Sequence, residues 1–140
     1  MSRRVQITIR NNKEGLITLT RRVCGFLESE DISDTSCYKA NLVVEEIVTN
    51  VLKYGYEEEQ KGKICVKIRT TKTKIHIECS DDGRKFDPLS ACPPDWVKRS
   101  EELMPGGVGI HLERQMSDSI QYCREQGRNV LKVCVTLSNY

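Results

Sequence analysis

The chain has 140 residues, of which 38% are hydrophobic and 30% charged, and its formal net charge is +2. That profile fits one ordinary soluble globular domain over 1–140, long enough to bury a core. Lys and Arg are scattered along the sequence without a basic run, which argues against direct nucleic-acid binding, and no apolar stretch approaches the ~18 residues of a membrane span.

The first residues lead straight into Val5-Gln6-Ile7-Thr8-Ile9, which alternates like a strand. With no long apolar leader, a cytoplasmic location is the expectation. A helix is predicted over 14–30, with Leu16, Leu19, Val23, Phe26 and Leu27 at helical spacing. Ser33-Asp34-Thr35 offers N-cap candidates for a second helix running to about Tyr54, where Gly55 fits a stop. Ile64, Val66 and Ile68 alternate, as do Ile75, Ile77 and Cys79, predicting two strands joined by a turn at about Thr71-Lys72-Thr73. Residues 86–106 read as irregular, with four prolines. A third helix is expected after Gly109. Two last strands, roughly 119–124 and 129–137, are joined by Gln126-Gly127. This order predicts a two-layer α/β sandwich, with helices on one face of a mainly antiparallel sheet. Cys24, Cys37, Cys65, Cys79, Cys92, Cys123 and Cys134 make an odd set of seven without a Cys-x-x-Cys spacing. His76 and His111 are the only histidines, and no zinc-ligand spacing is present. Free thiols are expected, several of them in the core.

Three segments carry chemistry. In Val44-Glu45-Glu46-Ile47-Val48-Thr49-Asn50, Glu46 and Asn50 are four apart and stack on one helix face, at the edge of the apolar arc of Val43, Val44, Ile47 and Val51. A carboxylate and an amide there suit a Mg²⁺ ion, and the carboxylate can accept a proton; an amphipathic helix with polar boundary residues gives the same pattern. In Cys79-Ser80-Asp81-Asp82-Gly83, Asp81 continues the alternation of 75, 77 and 79 onto the core side. There a carboxylate needs a partner, such as a ligand amine; alternatively Asp-Asp-Gly is a simple turn. Pro105-Gly106-Gly107-Val108-Gly109 enters the third helix and can offer backbone N–H groups to phosphate, or serve as a hinge.

In this order the three segments resemble the boxes of the ATPase family shared by histidine kinases, Hsp90 chaperones, type II topoisomerases and MutL proteins, with the Bergerat-type ATP-binding fold. The short chain and the runs Asp-Asp-Gly-Arg-x-Phe-Asp-Pro and Gly-Gly-Val-Gly-Ile-His-Leu are similar to the stand-alone serine kinases that double as anti-sigma factors. The resemblance implies Glu46 as catalytic base, Asn50 as Mg²⁺ ligand, Asp81 and Gly83 as adenine contacts, and Gly107, Val108 and Gly109 around the phosphates. It implies ATP and Mg²⁺ as cofactors, and a lid over about 88–106. The implied partners are an antagonist protein with an acceptor serine and a sigma factor; a homodimer is also implied, and Arg21-Arg22 is a candidate partner contact.

Two positions depart from the pattern. Lys85 stands where many relatives have a second glycine. Gly127-Arg128-Asn129 replaces a Gly-Thr turn, which puts a hydroxyl contact there in question. Two other readings stay open: a module that binds ATP and sequesters a partner without phosphorylating it, and a histidine kinase fragment. The second is disfavoured because no histidine lies on an upstream helical hairpin and the chain opens at Met1.

Overall fold

The computed structural model describes residues 3–90 and 117–137. In chain order the elements are β1 (Arg3–Arg10), α1 (Lys13–Ser29), α2 (Asp34–Tyr54), β2 (Lys63–Thr70), β3 (Lys74–Asp81), β4 (Ser119–Glu125) and β5 (Arg128–Thr136). The expected third helix and residues 91–106 of the proline-rich stretch lie outside the described residues.

The five strands form one sheet in the order β1-β2-β3-β5-β4. Every pairing is antiparallel. Placing β5 between β3 and β4 sets Asn129 opposite Asp81. Alternation then sorts the side chains: Ile7, Ile64, Val66, Ile75, Ile77, Leu131 and Val133 point inward and are buried, while their neighbours point to the other face. The buried stripes of α1 (Leu19, Val23, Leu27) and α2 (Ala40, Val43, Val44, Ile47, Val48) join them in one core, each large side chain contributing about 1.5–3 kcal/mol. The architecture is a two-layer α/β sandwich.

Local chemistry fixes the element ends. Asn12 caps α1, its side chain accepting from Gly15 N–H at 2.7 Å, and Ser33 caps α2 by accepting from Ser36 N–H at 3.2 Å. Gln126 and Gly127 have φ of 50° and 74°, the left-handed pair of a two-residue hairpin turn between β4 and β5. Gly55 ends α2 in a different way. Its φ is −86°, so no left-handed backbone requires glycine there. Instead its carbonyl accepts from Arg84 N–H at 2.9 Å, and a Cβ on Gly83 would lie 2.4 Å from that same oxygen. The missing side chain of Gly83 lets the end of β3 approach the end of α2, whereas a Cβ on Gly55 would meet the Val51 carbonyl of its own helix at 2.8 Å.

Two expectations need correction. Of the six described cysteines, all free, only Cys79 is buried; the other five are half-buried. They alternate or sit at helix margins rather than filling the core. The cations scattered in sequence are also partly gathered in space. Arg4, Lys67, Arg69, Lys74 and Lys132 share the sheet face opposite the helices, around Glu78 and His76, because strand pairing aligns positions far apart in the chain.

Candidate functional site

Where α2 meets β3, a cleft is lined by Ile47, Asn50, Val51 and Gly55 on one side and by Cys79 and Asp81 on the floor. Phe86 and Pro88 from the loop after β3, Tyr122 of β4, and Asn129 and Leu131 of β5 complete the wall. The lining is largely apolar, with Asp81 its carboxylate.

Asp81 is 3% exposed. Its two described hydrogen bonds both end on Oδ1, from Gly83 N–H at 2.9 Å and from Asn129 Nδ2 at 3.0 Å. Burial pushes its carboxyl pKa above the ordinary carboxylate range, while the Asn129 and Gly83 donors pull it back down. Asp82 behaves oppositely: exposed on the other face, it accepts from the Tyr56 hydroxyl and from Lys63 N–H, tying the loop after α2 to the start of β2. Gly83 does not line the cleft. Its N–H orients Asp81, and its carbonyl accepts from Arg124 Nη1 at 2.9 Å.

Asn50 is 3% exposed and lines the same cleft. Glu46, one turn earlier, is partly exposed and is not part of the lining. Partial burial raises its carboxyl pKa, the neighbouring Glu45 raises it further, and Lys53 opposes both. A carboxylate shifted upward holds a proton more readily, which suits a general base. Glu45 is exposed, and so are Arg21 and Arg22 on α1. Gly107, Val108 and Gly109 lie outside the described residues, as do Cys92 and His111.

The sequence reading did not assign Asn129, Tyr122 or Phe86 to the site. The inward phase of Leu131, Val133 and Val135 carries back to Asn129, so its burial was available from alternation. Its contact with Asp81 was not, because chain order does not say that β5 lies beside β3.

The donor set fits an adenine amine at Asp81, since a carboxylate oxygen in an apolar slot calls for a hydrogen-bond donor. The interior of the cleft is about 20 Å³, room for roughly one water. The Phe86 ring lies against Tyr54, with centroids 4.9 Å apart. No group of three or more His, Cys, Asp or Glu among the described residues could hold a metal. Asn50 and Glu46 make only a partial oxygen set, as befits Mg²⁺, which is commonly held by one or two protein groups together with phosphates and water.

The model of the histidine kinase-like ATPase domain matches residues 9–135. The serine-protein kinase RsbW of Listeria monocytogenes serovar 1/2a is 27% identical over 94 residues, 64% of this chain and 60% of that protein. The RsbW of Staphylococcus aureus strain MRSA252 is 29% identical over 116 residues, 79% of this chain and 67% of that one. The chain thus spans about 60% of the length of the Listeria relative. Among solved structures, the RsbU and RsbW domains of a Mycobacterium tuberculosis protein superpose with a TM-score of 0.69 at 14% identity, covering 99% of this chain and 33% of that chain. The SiaB–SiaC complex of Pseudomonas aeruginosa gives a TM-score of 0.60 at 13% identity, covering 95% and 89%. At such identities the structural likeness speaks to the fold alone.

Proposed function

Because the chain belongs to the family of histidine kinase-like ATPase domains, we propose that it binds ATP in the α2–β3 cleft and transfers the γ-phosphoryl group to a serine of a small antagonist protein. A sigma factor is the second proposed partner. The observation that carries this reading is Asp81, a carboxylate buried in an apolar cleft beside Asn50. The name of the relatives, serine-protein kinase, supports a serine acceptor; the sigma factor rests on the resemblance of the sequence motifs alone.

ATP supplies the phosphoryl group, and this chain supplies positioning. Asp81 accepts a hydrogen bond from the adenine amine, and Gly83 holds Asp81 in place. The Asn50 side-chain oxygen is the proposed Mg²⁺ ligand. Glu46 receives the proton of the acceptor hydroxyl. Gly107, Val108 and Gly109 are the proposed phosphate-binding backbone. Phosphoryl transfer needs little more than such positioning and charge neutralisation.

One observation favours a second reading, in which the protein binds ATP and sequesters a partner without transfer: Glu46 stands outside the cleft lining. Glu46→Gln separates the two. If Glu46 is the base, ATP affinity stays near wild type while single-turnover phosphorylation of the antagonist falls by ~10²–10⁴. Asn50→Ala instead lowers both Mg²⁺-dependent binding and transfer. Glu45→Gln, about 100° around the helix, leaves both intact. A fully active Glu46→Gln protein removes Glu46 from catalysis and leaves the binding-only reading ahead.

A further inference from the structure

Asn129 replaces no catalytic group, yet its side-chain amide makes four described hydrogen bonds at the cleft. Nδ2 donates to Asp81 Oδ1 at 3.0 Å and to the Arg84 carbonyl at 2.7 Å. Oδ1 accepts from Phe86 N–H at 3.2 Å and from the Tyr122 hydroxyl. The orientation of the amide is forced. The Arg84 carbonyl can only accept and the Phe86 N–H can only donate, so a flipped amide would oppose like to like at both. With the amide fixed, its N–H must face Asp81. The residue is 5% exposed, so water is a poor substitute for any of these four partners.

We propose that Asn129 is a positioning residue for the nucleotide base: its amide occupies Asp81 Oδ1, leaves Oδ2 to accept from the ligand amine, and ties that carboxylate to the Phe86 wall of the cleft. The inference rests on the nucleotide reading of the cleft given above. A threonine at this position is too short to bridge Asp81, the Arg84 carbonyl and Phe86 N–H together. An aspartate would set a second carboxylate against Asp81 and the Arg84 carbonyl. Asparagine alone among residues of its size satisfies two acceptors and two donors here. Phe86 lines the cleft and its N–H is bonded to Asn129, so the cleft wall and the aim of Asp81 are linked through one side chain.

The charged and titratable groups around Asp81 are Asp82 just past the end of β3, Arg124 and Tyr122 from β4, and Tyr56 beyond α2. Asp87 in the following loop and Arg128 at the head of β5 act on Tyr122 and Asp82 in turn; α2 presents the uncharged Asn50 to the cleft. Of the described hydrogen bonds to Asp81, that from Asn129 is the one a side chain donates, so loss of the Asn129 amide has a distinctive signature: the carboxyl becomes harder to ionise.

The test compares wild type, Asn129→Ala and Asn129→Thr by carbon-13 titration of the Asp81 carboxyl in ligand-free protein, and by calorimetry of ATP binding across pH. In Asn129→Ala the Asp81 midpoint is expected to rise by about one to two pH units, the range set by one hydrogen bond to a charged group. ATP binding should disappear at correspondingly higher pH. Asn129→Thr, which keeps one donor, should fall between the two, and it carries the comparison if the alanine protein does not fold. An affinity loss of the same factor at every pH, with the Asp81 midpoint unmoved, would mean a merely structural role and overturns the inference while leaving ATP binding in place. Wild-type protein that binds no ATP overturns the nucleotide reading and this role with it, even where the midpoint shift is seen.

Discussion

At the scale of single residues, Asp81 and Asp82 show how one step along a strand separates two carboxylates into different jobs. Asp81 is folded into an apolar wall and Asp82 is left at the surface. The folded pKa of Asp81 lies above its unfolded value, so the native state takes up its proton more readily than the unfolded chain does. Its contribution to stability therefore improves as pH falls through the folded pKa and is least favourable above it. Asp81→Asn keeps an oxygen for the Gly83 and Asn129 donors and removes the buried charge. The ligand-free melting temperature at neutral pH should rise, while ATP affinity falls by about 10- to 150-fold, the equivalent of a charge-assisted bond of roughly 1.5–3 kcal/mol. Calorimetry showing wild-type affinity would remove Asp81 from the site. Asp82→Ala is expected to do the reverse: it frees Tyr56 and Lys63 N–H and lowers stability, with little change in affinity. The inward phase of Asp81 was legible from Ile75, Ile77 and Cys79. The partner that aims it was not, since Asn129 is 48 residues away along the chain.

At the scale of elements, the site depends on how α2 ends. A helix carrying Glu46 and Asn50 is useful only if it stops where β3 delivers Asp81, and the Gly55–Gly83 contact sets that meeting. Gly83→Ala drives a methyl group toward the Gly55 carbonyl, which belongs to backbone and cannot swing aside. Overpacking of this kind destabilises by about 1–3 kcal/mol. Because Gly83 N–H also holds Asp81, nucleotide affinity should fall with it; denaturant unfolding and calorimetry on the same protein check both. Ser33→Ala is the contrasting change at the far end of the helix. It should remove about 1 kcal/mol of stability through the lost cap and leave affinity unaltered. Helix periodicity, the Ser33 cap and the stop at Gly55 were all readable in advance. The need for glycine at position 83 was not, because it lies in the Gly55 carbonyl packed against it rather than in its own φ.

At the scale of the whole molecule, the sandwich leaves one face of the sheet without helices among the described residues, and that face is basic. Glu78 bridges Lys67 and Lys132 at 3.7 and 3.9 Å, and Lys74 reaches Asp118 at 4.0 Å. Such surface pairs contribute about 0–1 kcal/mol each. Their removal nevertheless has a recognisable signature, since Glu78→Gln leaves Lys67 and Lys132 facing each other on adjacent sides of β3. Stability should drop by no more than about 1 kcal/mol at low ionic strength and recover as salt screens the repulsion. Thermal melts of the two proteins across a salt series check it; parallel salt dependences would show that the cations do not interact. The net charge of +2 gives no hint of this asymmetry, because composition counts charges and strand pairing decides where they gather.

The two helices and the five described strands were determined by local features: apolar period, capping residues and turn glycines act over a few residues and are written in order along the chain. The inward placement of Asp81 belongs with them, since side chains alternate wherever a strand forms. Tertiary structure alone decided what lies beside what. It put β5 next to β3, so that Asn129 meets Asp81. It brought Gly55 against Gly83, so that the end of α2 meets the end of β3, and it set Phe86 and Tyr122 into the wall of the same cleft. Those choices depend on how the whole sheet buries its apolar face against both helices, a condition satisfied only when distant segments are packed together.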